Sequence, residues 1–342
     1  MQERKPLNSW QAPPLPRMQA RYIDCDALNG TPFRAAVGVT GKDIWEVFRL
    51  FGPQAAIAWF LPQNVWPGVA DRLSMLDLAL HRKRTEANVK QLGTLFAGFA
   101  NVPSAEWIER GFFASRYLER FQYLRAYRPD GWEPVIRIQG REHVNGARAA
   151  KRGMIFWGSA FAYNDLILKM ALHRLGLRTY HYTRPVHGLS TTRFGVRFLN
   201  PIRTMIECRY LGARVCAEER VKEAMEVLKE EAVSGGAISI KIGNRGRRMV
   251  SVPFLNGQIA LATGPVTLAR RWGARLLPTF TLLAEDGGFD VIIGAPLESD
   301  EGDEESRAKA ILERYVRELT LYVLAYPEQW RGWRFAVPHT AD

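Results

Sequence analysis

Hydrophobic and polar positions alternate in two distinct ways along this chain, and the change comes near residue 131. Residues 1 to about 40 show little periodicity and several prolines, which predicts an irregular arm. Apolar residues then recur at helical spacing over Asp43 to Leu50, Ala55 to Leu61, Val69 to Leu80, Arg84 to Phe99 and Ser104 to Tyr127. In the last of these, Trp107, Ile108, Phe112, Tyr117, Leu118 and Phe121 form apolar stripes. Residues 41–130 therefore read as a helical region.

From about Val135 short apolar runs alternate with helical patterns. Met154 to Trp157, Thr179 to Thr183, Thr204 to Glu207, Ala237 to Ile242, Leu276 to Leu282 and Phe289 to Ile293 read as strands. Helices fall between them near Asp165, Leu189, Ala217 and Thr263. That alternation predicts an α/β fold over 131–342, a central, mostly parallel sheet with helices on both faces, preceded by the helical layer. Ligands in such sheets gather at the carboxyl ends of strands, where the turn beginning at Gly158 falls.

The chain's 342 residues, 47% hydrophobic and 24% charged, are enough for a full core and argue against wholesale disorder. Its charge changes the picture more: 47 Lys and Arg stand against 35 Asp and Glu, a net +12. The acids Glu298, Asp300, Glu301, Asp303, Glu304 and Glu305 crowd into one run, so the rest is more basic still. This run suits a loop and the negative start of a helix near Glu304. A basic surface attracts phospholipid head groups, an acidic carrier protein or nucleic acid, or simply confers solubility. No zinc-finger spacing, basic zipper or aromatic RNA-binding signature is present, so no nucleic-acid partner is expected.

Three cysteines, Cys25, Cys208 and Cys216, have no metal-type spacing and cannot complete a disulfide framework, which points to a reducing compartment. Met1 to Pro16 is polar and proline-rich, without the apolar segment of a signal peptide. Phe51 to Trp66, interrupted by Pro53, Gln54, Pro62, Gln63 and Asn64, is too broken to span a membrane. With Trp45, Trp59 and Trp66 it fits either an interfacial helix pair or a core-packing hairpin.

Candidate chemistry centres on Gly158-Ser159-Ala160-Phe161-Ala162-Tyr163-Asn164-Asp165-Leu166. With Ile136 through His143, Arg152-Gly153-Met154, and His81-Arg82-Lys83-Arg84 through Asn88, this text resembles the lysophospholipid acyltransferase superfamily. Val252 through Gly257, Ala262 through Phe280, Pro327-Glu328-Gln329-Trp330 and Trp333-Arg334-Phe335 extend the resemblance over about residues 80 to 335. The late acyltransferases of lipid A biosynthesis are the most similar branch. There the turn reads roughly Gly-Ala-His-Phe-Gly-Asn-Trp-Glu, with the His and the acid five residues later as the catalytic pair.

The resemblance places the orienting acid at Asp165 and the base at Ala160. Acyl transfer needs a base to take the acceptor's proton, and a carboxylate to hold that imidazole in the right tautomer. Alanine can do neither, and losing one member of such a unit costs roughly 10⁴ in rate. Either the natural sequence lost the base or the position was deliberately exchanged for Ala; the sequence leaves both open. Without an imidazole to orient, Asp165 also reads as an acid complementing a helix N-terminus.

A second departure is Ile242-Gly243-Asn244, where relatives have an Asp-Gln or Asp-His pair. His181 and His187 flank Arg184-Pro185, a dipeptide that fits the family, and are the histidines available as a replacement base. Arg245, Arg247 and Arg248 form a basic loop suited to a pantetheine phosphate or lipid head group, or to solvent. Gly264 and Pro265 suit a helix start whose amides face an anion or a carbonyl oxygen.

The resemblance thus implies a protein that moves a fatty acyl group from acyl carrier protein or coenzyme A to a lipid-like hydroxyl or amine. It implies no metal or redox cofactor, an anionic membrane surface as partner, and a peripheral place on the cytoplasmic face of the inner membrane. The alternative is an acyl- or lipid-binding protein that keeps the fold without the base.

Overall fold

The computed structural model describes residues 10–11, 20–27, 33–241, 243, 246, 248–299 and 302–339. Two short strands, β1 (Trp10–Gln11) and β2 (Arg21–Asp24), lie in the stretch expected to be irregular. They are too short for periodicity to reveal. Tertiary partners make them strands: β2 runs parallel to β6 (Ala213–Cys216), and β1 antiparallel to β3 (Ile136–Gln139).

The helical layer is α1 (Gly41–Arg49), α2 (Ala55–Phe60), α3 (Trp66–Leu80), α4 (Arg82–Leu95) and α5 (Ala105–Arg125). Ser104 starts α5, its hydroxyl accepting from the Trp107 amide at 3.3 Å, as an N-cap serine should. Trp66, Ala70, Ala58, Leu50 and Phe121 form the layer's own buried cluster. The hairpin around α1 and α2 therefore does pack a core, through Trp66 against the Phe121 ring. It also keeps an exposed face that includes Ile44, Trp45, Phe48, Phe51 and Phe60. Among the described residues no helix is long and apolar enough to cross a membrane.

The α/β part continues through α6 (Arg141–Ala149), β4 (Met154–Gly158), α7 (Asn164–Arg174), β5 (Tyr180–Thr183), α8 (Pro201–Cys208), β6, α9 (Val221–Val233) and β7 (Ala237–Lys241). Then come β8 (Met249–Phe254), β9 (Gly257–Ala262), α10 (Gly264–Trp272), β10 (Arg275–Leu283), β11 (Phe289–Ile293), α11 (Glu304–Ala325) and β12 (Ala336–Pro338). Among the described residues the main sheet has nine strands in the order β1-β3-β11-β10-β4-β7-β5-β6-β2. Only the β10–β11 and β1–β3 pairings in it are antiparallel. A small antiparallel sheet, β12-β9-β8, stands apart from it.

Strand β4 explains why the sheet is covered on both faces. Ile155 and Trp157 join one core cluster with residues of α9, α10 and α11, whereas Met154 and Phe156 join the other with residues of α6, α7 and α8. A strand with no polar alternation must be buried twice, which only a parallel sheet between helical layers provides. Asp303 caps α11, its carboxylate accepting from the Ser306 amide at 2.8 Å, so the acidic run does start this helix. The three cysteines are free.

One predicted strand is a helix. Thr204 to Glu207 lies inside α8, and β6 follows it in the sheet. Pro201 at the first helical turn presets the backbone for a helix. The helical spacing then buries Ile206 and Glu207 while Met205 stays exposed. The β-branched character of Thr204 and Ile206 suggested a strand, but packing against α7 overrides that preference.

Candidate functional site

Strand β4 delivers the turn to the carboxyl edge of the sheet. Gly158 is in register with Lys241 at the end of β7 and with Thr279 of β10. A side chain at Gly158 would place its Cβ 2.5 Å from Asn164 Nδ2, so glycine lets the turn close on the start of α7 without displacing that side chain. The Ser159 amide donates to the Thr279 carbonyl at 3.1 Å, and the Ala162 amide to the Gln329 carbonyl at 2.8 Å. The Arg331 amide donates to the Ala160 carbonyl, also at 2.8 Å. The C-terminal segment thus clamps the turn, and Ala160 is buried beneath it.

Asp165 opens α7 and is buried. Lys241 Nζ lies 3.0 Å from each of its carboxylate oxygens, and Arg203 Nη2 from α8 lies 3.4 Å from Oδ2. Burial alone would push this carboxyl up. Lys241 first, then His187, Lys169 and Arg203, outweigh burial and hold it well below the ordinary carboxylate range. At neutral pH Asp165 is therefore an anion committed to cations, which is more than a helix-dipole partner and is not a proton acceptor.

One turn further along α7, Lys169 is buried and pairs with Glu207 of α8 at 3.0 Å. Glu207 also takes Arg214 at 2.5 Å, His187 Nε2 at 3.2 Å and the Tyr123 hydroxyl at 2.8 Å. Burial opposes its charge, but Lys169, His187 and Arg214 hold it well below the usual range. His181 is a weaker base in the same surroundings. It is buried against Ser239 at 2.9 Å, and burial followed by Lys169 and Arg214 keeps it neutral. His187 differs, being partly exposed, in reach of a carboxylate and close enough to influence Asp165.

The other predicted residues fall in two places. Arg184 pairs with Glu218 and, among the described residues, makes no hydrogen bond or ion pair with Asp165 or its partners. Arg248 and Gly264 line a groove of about 710 Å³ between α9, α10 and the ends of β5 and β7. Its apolar wall includes Val221, Met225, Ile240 and Leu268, and its cations are Lys241, Arg248 and Arg271. Arg245, Arg247, Ile242 and Asn244 lie outside the described residues. Among the described residues no three His, Cys, Asp or Glu side chains converge in a way that could hold a metal ion.

Lys241, Arg203, Lys169 and Glu207 were not picked out by sequence. Two signals were present: Asp165 and Lys169 are one helical turn apart in the mostly apolar stretch Asp165 to Leu172, and Lys241 closes the strand run Ala237-Ile238-Ser239-Ile240.

The profile of the bacterial lipid A biosynthesis acyltransferases matches residues 86–333, well over half of the chain and all of the site just described. The chain belongs to this family. No curated protein matches it. Among solved structures it is similar to the crystal structure of the 1-acyl-sn-glycerophosphate (LPA) acyltransferase PlsC from Thermotoga maritima. The two are 13% identical with a TM-score of 0.32, over 71% of this chain and 97% of that chain. In this member of the lipid A acyltransferase family, the turn at the sheet edge thus carries an alanine, and its acid is neutralised by Lys241 and Arg203.

Proposed function

We propose that this protein uses the acyltransferase fold to bind a fatty acyl thioester, carried by acyl carrier protein or coenzyme A, without transferring the acyl group through the Gly158 turn. The observation that carries this reading is Asp165 paired with Lys241 and Arg203, five residues after Ala160 in the same turn. The alanine at position 160 cannot take a proton, and the carboxylate that would orient an imidazole there is already engaged. The groove supports binding, because its apolar wall suits an acyl chain and Lys241, Arg248 and Arg271 suit a phosphate. Binding then requires no metal or redox cofactor.

In this reading the exposed aromatic face of α1 and α2 rests on an anionic membrane surface, at the cytoplasmic face of the inner membrane, where a lipid-like acceptor would be met.

A second reading keeps catalysis and is favoured by one observation, the pairing of His187 with Glu207 at 3.2 Å. An imidazole beside a carboxylate is the arrangement a general base needs. Acyl-thioester turnover by the purified protein decides between them. The binding reading expects retention of acyl-coenzyme A or acyl carrier protein without turnover above background, and measurable transfer in Ala160→His. Rapid turnover by the chain as it stands, abolished in His187→Ala, would replace it with the second reading.

A further inference from the structure

Arg203, the second cation on Asp165, also lines a cavity of about 100 Å³ with an unusual wall. Four arginines face it, Arg116 and Arg120 from α5, Arg203 from α8 and Arg331 from the C-terminal segment, and among the described residues Glu119 is the lone carboxylate in its lining. Glu119 is shared: Arg203 reaches it at 2.6 Å and Arg331 at 2.8 Å. Burial opposes the charge on Glu119, but Arg203 and Arg331 prevail and keep it ionised. Arg120 is occupied by Glu46. Arg116 is exposed and has no ion pair among the described residues; its guanidinium lies over the Phe113 ring, 5.7 Å from the centroid.

The donors outnumber their acceptors. Arg203 Nε, Arg331 Nε and Arg331 Nη2 are buried without a hydrogen-bond partner among the described residues. Buried polar groups ordinarily find partners, because an unsatisfied one costs about 1–3 kcal/mol. Clustered guanidinium groups with fewer carboxylates than donors form a site complementary to an anion. Their forked N–H pairs match a phosphate, and the volume, roughly three waters' share of liquid, suits one phosphate rather than a whole nucleotide.

The rest of the wall says what carries that phosphate. Leu50, Leu124, Leu189 and Ile202 supply its aliphatic part, beside Tyr123 and Gly188. Leu50 is followed in the chain by Phe51 and preceded two residues earlier by Phe48, 63% and 60% exposed, and Trp45 stacks on Phe48 with ring centroids 5.5 Å apart. We infer that the arginine-lined cavity binds the phosphate of a membrane lipid, whose apolar part lies along the exposed aromatic face of α1. This does not depend on the groove reading, since the groove and the cavity share no lining residue. It does reach Asp165: Arg203 belongs to both, so a phosphate in the cavity competes with Asp165 for that guanidinium.

The test is flotation of the full chain with phosphatidylcholine vesicles doped with either phosphatidic acid or oleate at equal surface charge. Preferential recovery with phosphatidic acid is expected. Arg116→Ala should weaken it about tenfold, the size of one lost charge-assisted contact, while Lys309→Ala on α11, an equal loss of charge on an exposed helix face, leaves it near native. Arg116 has no ion pair among the described residues to lose, and a urea midpoint confirms that the variant folds. Equal recovery with both vesicle types, or equal weakening by the two substitutions, would overturn the inference in favour of attraction by net charge. Saturable binding of inorganic phosphate at the same affinity, without vesicle preference, would show a free-anion site and overturn the lipid assignment.

Discussion

Asp165 on α7 and Glu207 on α8 are both buried carboxylates held ionised by cations, yet they do different things for the molecule. The partners of Glu207 are sealed in with it: the Lys169 and Arg214 side chains are 2% and 1% exposed. Such a network ties α7, α8, β6 and α5 together and offers nothing to a ligand, apart from the partly exposed edge of His187. Asp165 is joined instead to residues that lead outward. Lys241, 40% exposed, lines the groove, and Arg203 lines the cavity. What separates a structural ion cluster from a candidate site here is where the counter-ions go, not the charge at the centre.

The largest test of this contrast is Glu207→Gln. Leaving Lys169 and Arg214 buried without their carboxylate should cost about 3–5 kcal/mol, read as a fall in the urea unfolding free energy. A loss under 1 kcal/mol would remove the distinction. Asp165→Asn should cost less, about 1–3 kcal/mol, because Lys241 can turn back to solvent.

The acid limb sharpens the same comparison. Both carboxyls titrate lower folded than unfolded, so their stabilisation is complete above the unfolded values of about 3.9 and 4.3. It is lost as pH falls below these toward the folded values. Asp165→Asn should therefore flatten the drop in urea midpoint between pH 5 and pH 3 relative to the native chain. A curve parallel to native would mean that Asp165 does not carry its assigned share. The smallest effect is expected at Arg248→Glu. Its side chain is 73% exposed and 3.9 Å from Glu304, so stability should move by no more than about 0.5 kcal/mol while acyl-thioester binding weakens. A large stability loss would make Arg248 structural and take it out of the groove's binding surface.

Much of this architecture was legible before any coordinates. Continuous apolar runs such as Met154 to Trp157 belong to doubly covered strands, and the helical layer and α11 follow the 3.6-residue period. What misled was local: Thr204 to Glu207 reads as β-branched and apolar, but Pro201 and the ion pairs of Glu207 hold it helical. The strands β2 and β6 were missed because such four-residue segments acquire their identity from the neighbours they pair with. At the site, Asp165 and Ala160 were found by motif. Their charged surroundings come from α5, α8, β7 and the C-terminal segment, spread over more than two hundred residues, and no local pattern links them.

The chain by itself determined the class of fold, the turn at Gly158, its missing imidazole and the basic excess, because each is a property of neighbours in sequence. Only the tertiary structure decided that Asp165 is neutralised from two sides and that Arg184 pairs away from it. It alone decided that four arginines share one cavity. Coulombic interactions depend on separation in space and on exclusion of water, and the folded packing sets both.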